Sequence, residues 1–257
     1  MIKKIHYIWL GNNLKSPKIK ECIKSWKYYF PTWEIIEWNE SNLNIDQIAY
    51  CKDAYAKQKY AFVSDYFRFW ILYNCGGLYF DTDVKVLKDF TPLLRENSMF
   101  AGFENKNNVA PGLVLYSNNK KEKLFKEILD IYEKEPFILK NGDLNLKTVV
   151  SRFTELLCKY GLRLNDTKQK INNITIFPTE YFCPLNYNTG KLNITSNTYA
   201  IHLYEASWRT EEEKQEQMLY RYYYNRYKIK YLARCLSIYK IRGIEEIKRR
   251  LIKKLFH

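Results

Sequence analysis

Two carboxylates separated by one residue follow an apolar run in the first third of the chain. The run, residues 78–80, leads directly into Asp81-Thr82-Asp83. A β-strand carries residues i and i+2 to one face, so we expect Asp81 and Asp83 to converge on one point. Two like charges held together are costly unless a cation stabilises them. A hard divalent ion such as Mg²⁺ or Mn²⁺ does so and also binds diphosphate. The pattern predicts a metal site; the competing interpretation is a solvated turn.

A carboxylate and a guanidinium lie three residues apart just upstream. Asp65 and Arg68 share one face if this segment is helical. Apolar residues surround them at positions 60–63 and 69–72, which favours a pair that faces a cleft over a surface ion pair of little energetic worth. The planar fork of an Arg side chain suits it to hold phosphate or to orient a carboxylate.

An α/β scaffold is predicted to position these groups. Residues 5–10 read as a buried strand, Ser16-Pro17 opens a helix to about Phe30, and residues 34–38 read as a second strand. Strand, helix and strand in this order are typical of the start of an α/β fold with a parallel sheet. A long helix is predicted from about Asp53 to Asn74, ended by Gly76 and Gly77.

Further elements follow the Asp-x-Asp segment. Residues 84–87 are expected to be extended, residues 112–116, 174–178 and 199–203 to be strands, and residues 121–133 and 148–160 to be helices. Ligands of α/β sheets bind outside the carboxyl ends of the strands. The two aspartates are therefore predicted to lie at a ligand-binding edge.

The end of the chain is strongly basic. The net charge is +14, and residues 226–257 hold eleven Lys and Arg against Glu245 and Glu246. Apolar residues from Ile241 to Leu255 follow helical spacing, which predicts a basic amphipathic helix. Attachment to an anionic membrane surface, nucleic-acid binding and an ordinary solvated helix face are the alternatives. We expect a catalytic domain over residues 1–210 and a helical extension over 211–257.

Other classes of protein are disfavoured by the cysteines and the hydropathy. The six cysteines contain no C-x-x-C pair, which argues against a zinc site and against an extracellular disulfide framework. The apolar run that follows the first four residues is too short for a signal peptide, and no run of 18 apolar residues occurs later. A cytoplasmic protein is expected.

The order and spacing of several short motifs resemble those of a known group of enzymes. The motifs are Ile5-His6-Tyr7-Ile8-Trp9-Leu10-Gly11, Ser25-Trp26, Trp38-Asn39, Ala61-x-x-Ser64-Asp65-x-x-Arg68 and Gly76-Gly77-x-Tyr79-x-Asp81-x-Asp83. Together they resemble the glycosyltransferases with a DXD-containing sugar-binding region. That group includes yeast-type initiating mannosyltransferases, bacterial capsule and lipopolysaccharide transferases and, distantly, the catalytic domains of large clostridial glucosylating toxins. The similarity covers residues 4 to about 90 and resumes over 177–208.

The resemblance implies a GT-A fold, in which a mixed central sheet is flanked by helices. It also implies a nucleotide-sugar donor, with a UDP-sugar favoured, and Mn²⁺ or Mg²⁺. For the nucleoside, Trp9 would stack on the base beside the backbone of Ile8. Asn42, or alternatively Asn39, would contact the ribose or the base.

The resemblance also assigns the sugar, diphosphate and metal contacts. Asp81 would contact the ribose, the metal or its bound water, and Asp83 would bind the metal directly. The donor sugar and diphosphate would be held by Ser64, Asp65 and Arg68, in a pocket lined by Tyr79.

A late segment would complete the site. In related enzymes a His or an acidic residue completes the metal shell, and here His202, Glu205 and Ser207 compete for that role. Ser207 and Trp208 would close over the diphosphate. Lys147-Thr148-Val149-Val150 stands where many relatives have Thr-Gly-Pro, which leaves the acceptor more open than the donor.

The resemblance implies retention of anomeric configuration, and we expect front-face displacement because no carboxylate is placed as a nucleophile. The predicted reaction moves a hexose or N-acetylhexosamine to an oligosaccharide or lipid-linked acceptor, for bacterial capsule or lipopolysaccharide, at the cytoplasmic face of the membrane. Nucleic acid is not an expected partner. The alternatives are a toxin-like transferase that modifies proteins, an inactive relative and a non-enzymatic basic binding module.

Overall fold

The computed structural model describes residues 1–11, 13–205 and 210–255, with backbone alone for the last four. These residues form two compact units. The first comprises residues 1–184 and 194–203, and the second comprises residues 185–193 and the described part of 204–257. The predicted division into residues 1–210 and 211–257 stays a prediction.

A seven-strand path runs through the main sheet of the first unit, in the order β2-β1-β3-β7-β5-β9-β8. Strand β6 pairs with β5 beside this path, and β4 and β10 form a separate antiparallel pair. The strands are β1 (Lys4–Ile8), β2 (Glu34–Trp38), β3 (Gly77–Tyr79), β4 (Val84–Val86), β5 (Met99–Asn105), β6 (Asn108–Val109), β7 (Leu115–Ser117), β8 (Gln169–Ile171), β9 (Ile174–Phe177) and β10 (Ala200–His202).

Helices flank this sheet. In the first unit they are α1 (Pro17–Tyr29), α2 (Ala49–Ala56), α3 (Tyr60–Cys75), α4 (Thr91–Glu96), α5 (Lys123–Lys134), α6 (Val149–Lys159) and α7 (Thr179–Phe182). Strands β2, β1 and β3 are parallel, whereas β7 runs antiparallel to both β3 and β5. The predicted α/β fold class with a mixed central sheet is confirmed.

The predicted long helix from Asp53 to Asn74 is wrong, because two helices occupy that segment. Helix α2 ends in a left-handed residue, Gln58, with φ of 55°. The amide of Lys59 donates to the carbonyl of Ala54, and the amide of Gln58 donates to that of Tyr55, both at 2.8 Å. This Schellman pattern satisfies the last carbonyls of α2 and turns the chain into α3.

The predicted strand over residues 112–116 begins later, at Leu115. The carbonyl of Gly112 accepts from the amide of Asp81 at 2.9 Å, so the chain here follows the Asp-x-Asp segment instead of pairing in the sheet.

Buried His6 joins three elements of the core. Its ring is fully buried, its Nε2 lies 3.0 Å from the carbonyl oxygen of Gly76, and its Nδ1 lies 3.0 Å from the indole nitrogen of Trp38. Because the indole N–H can only donate, Nδ1 accepts and Nε2–H donates, which defines a neutral ring. Burial lowers the pKa of His6 to about 4.

The second unit is built on two helices, α8 (Glu211–Tyr227) and α9 (Lys230–Leu255). Thr210 and Glu213 form a capping box at the start of α8. The predicted basic helix at the end of the chain lies within α9, which is kinked at Gly243, where φ is 78°. Among the described residues no helix is both long enough and apolar enough to cross a membrane.

The buried histidine predicts a pH dependence of stability. The unfolded chain protonates His6 near its ordinary pKa of 6.5, while the folded chain resists protonation down to about pH 4. The contribution of His6 to the unfolding free energy is therefore present above pH 6.5 and is lost as the pH falls toward 4, by up to about 3 kcal/mol. Urea unfolding at a series of pH values measures it. His6→Gln should flatten the slope between pH 6.5 and 4, and an unchanged slope would contradict the assignment.

Candidate active site

The Asp-x-Asp segment lies in a turn beyond the carboxyl end of β3, and not within the strand. Strand β3 ends at Tyr79, and the amide of Val84 donates to the carbonyl of Asp81 at 3.1 Å, which closes the turn. The expectation that strand alternation directs both carboxylates to one face is therefore wrong, because neither aspartate lies in a strand. Asp81 faces α3, whereas Asp83 faces β10.

A buried guanidinium lies between two carboxylates. Arg68 Nη2 donates to Asp65 Oδ1 at 2.9 Å, and Arg68 Nη1 lies 3.4 Å from Asp81 Oδ2. Nε of Arg68 also donates to the carbonyl of Ser64 at 3.2 Å, one turn back in α3. The side chain of Arg68 is only 4% exposed. The Asp65–Arg68 pair is thus buried, and the alternative of a surface ion pair is wrong.

Asp65 links α3 to the start of α6. Its Oδ2 accepts from the amide of Val149 at 3.3 Å, and that amide is one of the four at a helix N-terminus that lack an intrahelical partner. Thr148 caps the same end of the helix through its side chain. Burial raises the pKa of Asp65 to about 6, against the opposing effect of the Arg68 charge.

A second buried arginine holds the start of α6. Arg152 is 1% exposed, and its Nε donates to Glu135 Oε2 at 3.1 Å. Its Nη1 donates to the carbonyl of Lys147, one residue before the N-cap. The guanidinium also lies 4.9 Å from the ring centroid of Tyr132. Arg152 thereby fixes the segment whose amide reaches Asp65.

Asp81 is crowded as well as paired. The hydroxyl of Tyr79 donates to Asp81 Oδ1 at 2.9 Å, so both oxygens of this carboxylate have protein partners. A β-carbon on Gly112 would stand 1.9 Å from Asp81 Oδ2 and 2.7 Å from Arg68 Nη1. Only glycine leaves room for the carboxylate at this point.

Asp83 is directed toward His202. Asp83 Oδ1 lies 3.1 Å from His202 Nε2, and the two side chains are 13% and 15% exposed. The pairing of β10 with β4 sets this contact, because it places His202 opposite Val84. Burial lowers the pKa of His202, but Asp83 outweighs that effect and the pKa is raised to about 9, with smaller contributions from Asp81 and Glu104.

The chemistry of this pair fits a divalent ion. A carboxylate and an imidazole are both ligands of Mn²⁺-type ions, and Mg²⁺ binds through one or two carboxylates together with substrate phosphates and water. Within residues 1–11, 13–205 and 210–255 no group of three or more His, Cys, Asp or Glu is arranged to hold a metal. Asp83 and His202 could hold an ion that a diphosphate completes.

The other predicted ligands are placed as follows. Glu205 is half-buried and belongs to the second unit, so its role as a metal ligand stays a prediction. Ser207 and Trp208 lie outside the described residues. Ser64 is half-buried, and its hydroxyl donates to the carbonyl of Ala61 at 2.8 Å.

The predicted nucleoside residues surround the end of β1. The backbone of Ile8 lies in β1, and the half-buried Trp9 donates from its indole nitrogen to the carbonyl of Asn13 at 2.7 Å. The side chain of Asn42 closes the loop after β2: it donates to the carbonyl of Glu37 and accepts from the amide of Asn39. The same contacts would form without a nucleotide, so the contact of Asn42 with the ribose or base stays a prediction.

Sequence reasoning missed four contributors to this site. They are Glu104, Gly112, the amide of Val149 and Arg152. Glu104 alone had a signal, since it follows the apolar residues 99–103 at the carboxyl end of a strand. Gly112 and the amide of Val149 act through contacts between segments more than 30 residues apart in the chain, which spacing along the sequence cannot reveal. Arg152 contacts Glu135, 17 residues earlier and beyond a helix boundary, so no helical spacing indicated that pair.

The crowding at Gly112 predicts a measurable coupling. Gly112→Ala should lower the unfolding free energy by about 1–3 kcal/mol, because the added methyl group overlaps the Asp81 carboxylate. In an Asp81→Ala background the same change should cost less, by a coupling energy of about 0.5–3 kcal/mol. Denaturant unfolding of the four proteins measures this cycle. Additive effects would show that the two residues do not meet.

Comparison with known proteins supports the assignment from the motifs. Residues 16–100 match the family described as the glycosyltransferase sugar-binding region containing DXD motif. This range contains Ser64, Asp65, Arg68, Tyr79 and both aspartates of the Asp-x-Asp segment. No curated protein matches the chain.

Several solved structures are similar to the chain at low identity. The PaToxG glycosyltransferase is 20% identical with a TM-score of 0.44, over 61% of this chain and 68% of its own. A glycosyltransferase involved in the glycosylation of the major capsid of PBCV-1 is 10% identical with a TM-score of 0.43, over 79% and 94%. An active-site mutant of LgtC is 16% identical with a TM-score of 0.41, over 77% and 86%.

The recognition made from the motifs is thus confirmed for the segment that carries the site. Residues 16–100 match a glycosyltransferase sugar-binding region containing a DXD motif, and the chain is an enzyme of the transferase class.

Proposed function

We propose that the chain is a retaining, metal-dependent glycosyltransferase that moves a hexose or N-acetylhexosamine from a UDP-sugar to a saccharide acceptor. The observation that carries the proposal is the buried pair of Asp65 and Arg68, together with the contact of Arg68 with Asp81 in the Asp-x-Asp turn. Buried charges of this kind are expensive to maintain and cluster at functional sites.

Asp83 and His202 would hold the divalent ion, either Mn²⁺ or Mg²⁺. When bound, the ion would neutralise the negative charge that grows on the diphosphate as the sugar leaves. Both oxygens of Asp81 already accept from Tyr79 and Arg68. This supports Asp83 as the direct ligand and Asp81 as a contact to the ribose or to water on the ion.

Arg68 would act by orienting carboxylates and not by gripping phosphate itself. Its donors are directed at Asp65, Asp81 and the backbone of Ser64, and its side chain is almost fully buried. A carboxylate offers about four lone-pair sites, so Asp65 and Asp81 can each accept a further bond from a sugar hydroxyl. The side chain of Asp81 is 31% exposed, which leaves it open to the donor.

Front-face displacement is the mechanism that this arrangement supports best. The bond from the anomeric carbon to the diphosphate oxygen breaks, the acceptor oxygen bonds to the same face of that carbon, and the acceptor proton passes to the diphosphate. Asp65 would hold the donor sugar in position for this step. Groups that are already correctly placed before the reaction lower its barrier by fixing the reactants and by stabilising the charge that develops. Covalent trapping of a sugar on the protein would contradict it.

The acceptor is proposed to be an oligosaccharide or a lipid-linked saccharide of a bacterial capsule or lipopolysaccharide. The basic segment 226–257 supports association with the anionic inner face of a cytoplasmic membrane, where such acceptors are extended. Nucleic acid is not proposed as a partner. A transferase that modifies proteins would use the same donor site, so the identity of the acceptor separates the two.

The donor chemistry is tested by hydrolysis of a panel of UDP- and GDP-sugars with Mn²⁺, with Mg²⁺ and with a chelator. One UDP-sugar should be turned over only with metal, and Asp83→Ala should lower that rate by at least about 100-fold. Asp130→Ala, which removes a surface carboxylate paired with Lys126, is the matched control and should leave the rate unchanged. Equal hydrolysis with chelator, or turnover of GDP-sugars alone, would contradict the proposal.

The support of α6 by Arg152 makes a separate prediction. Arg152→Gln should lower kcat for donor hydrolysis by about 10- to 100-fold with a smaller change in KM, because Asp65 loses its fixed partner at Val149. Lys147→Ala is the control on the same segment, since it removes only the ion pair of Lys147 with Glu155. The side chains of Lys147 and Glu155 are both at least 40% exposed, and such surface pairs contribute little. Equal effects of the two variants would argue against a positioning role.

A further inference from the structure

The turn that joins α8 to α9 exposes an unusual set of side chains. We call residues 226–232 the hairpin tip; all seven are exposed. Lys228 adopts a left-handed conformation, with φ of 58°, and ends α8. Within the tip, Tyr227 is 42% exposed, Ile229 56%, Tyr231 75% and Leu232 39%. Tyr222, just over one helical turn earlier, is also 56% exposed.

The charge of the hairpin tip has a single sign. Arg226, Lys228 and Lys230 alternate with the apolar and aromatic residues, and no acidic residue occurs between Asn225 and Leu232. Contiguous exposed apolar groups are rare on a soluble surface and mark interaction sites. Tyrosine beside lysine and arginine is the composition found at the boundary between lipid headgroups and acyl chains.

The basic residues farther along α9 are differently engaged. Arg242 and Arg250 donate to Glu216, whose side chain is 7% exposed. Arg250 also donates to Glu246, which pairs with Arg249 through two hydrogen bonds.

The two pairs with Glu216 join α9 to α8, whereas the pairs with Glu246 lie within α9. Lys248 likewise pairs with Glu245. Much of the positive charge in the predicted amphipathic stripe is therefore balanced within the protein. Among the residues that the structure describes, no carboxylate forms an ion pair with Arg226, Lys228 or Lys230 of the hairpin tip.

We propose that the hairpin tip, and not the stripe from Ile241 to Leu255, is the principal contact with an anionic lipid surface. Ile229 and the tyrosine rings would enter the headgroup boundary, and Arg226, Lys228 and Lys230 would bind lipid phosphates. This inference rests on the membrane association proposed above and names the part of the chain that performs it.

Sedimentation of the full chain with vesicles tests the assignment. The vesicles are phosphatidylcholine alone and phosphatidylcholine with phosphatidylglycerol, and binding is expected only to the second kind. Ile229→Ser with Tyr231→Ser, and separately Lys228→Gln with Lys230→Gln, should each weaken binding by about tenfold or more. The control, Lys248→Gln with Arg249→Gln, also removes two positive charges and should weaken it by less than about threefold. Circular dichroism verifies that each variant remains helical.

The outcomes separate the tip from the membrane association itself. If the control variant weakens binding as much as the tip variants do, the hairpin tip is not the principal contact, although membrane association stands. The same conclusion follows if the tip variants bind as well as the unaltered protein. If the unaltered protein binds neither kind of vesicle, the proposed membrane association and the proposed role of the hairpin tip are both wrong. Salt-sensitive binding of an oligonucleotide in place of vesicles would overturn both in favour of nucleic acid. Donor hydrolysis should be the same in every variant, since none of the substituted residues belongs to the proposed donor site.

Discussion

Burial of the Arg68 guanidinium is the constraint on which the rest of the site depends. A buried charge is tolerated only when paired and hydrogen-bonded, and removal of one partner typically costs about 3–5 kcal/mol. Asp65 from the same helix and Asp81 from the turn after β3 supply the pairing. The guanidinium therefore ties α3 to the Asp-x-Asp turn, and any movement of either segment leaves a charge without its partner.

The surrounding elements supply what this charge cluster requires. The α6 amide of Val149 reaches Asp65, Gly112 leaves space for Asp81, and β10 brings His202 to Asp83. Three carboxylates thus meet one guanidinium and one imidazole, an excess of negative charge that favours a cation at the exposed side. A nucleotide diphosphate alone would be repelled there, so the binding of donor and of metal should depend on each other.

Local rules predicted much of this arrangement, and long-range contacts account for what they missed. The Ser16 cap, strand 34–38 and the end of α3 at Gly76 follow from patterns within a few residues. The pairing of Asp65 with Arg68 follows from a spacing of three. The stop at Gln58 was missed because glutamine, unlike glycine, seldom marks a left-handed cap. The partner of Arg250 was missed because Glu216 lies 34 residues earlier, on another helix.

Asp83 and His202 are proposed to hold an ion next to a fixed Arg68–Asp81 pair. Anomalous diffraction from crystals grown with Mn²⁺ and UDP tests this most directly. We expect a manganese peak within coordination distance of Asp83 and His202, with diphosphate oxygens on the ion and the contact of Arg68 with Asp81 unchanged. Diphosphate bound to Arg68 with no manganese at Asp83, or manganese bound elsewhere, would contradict it.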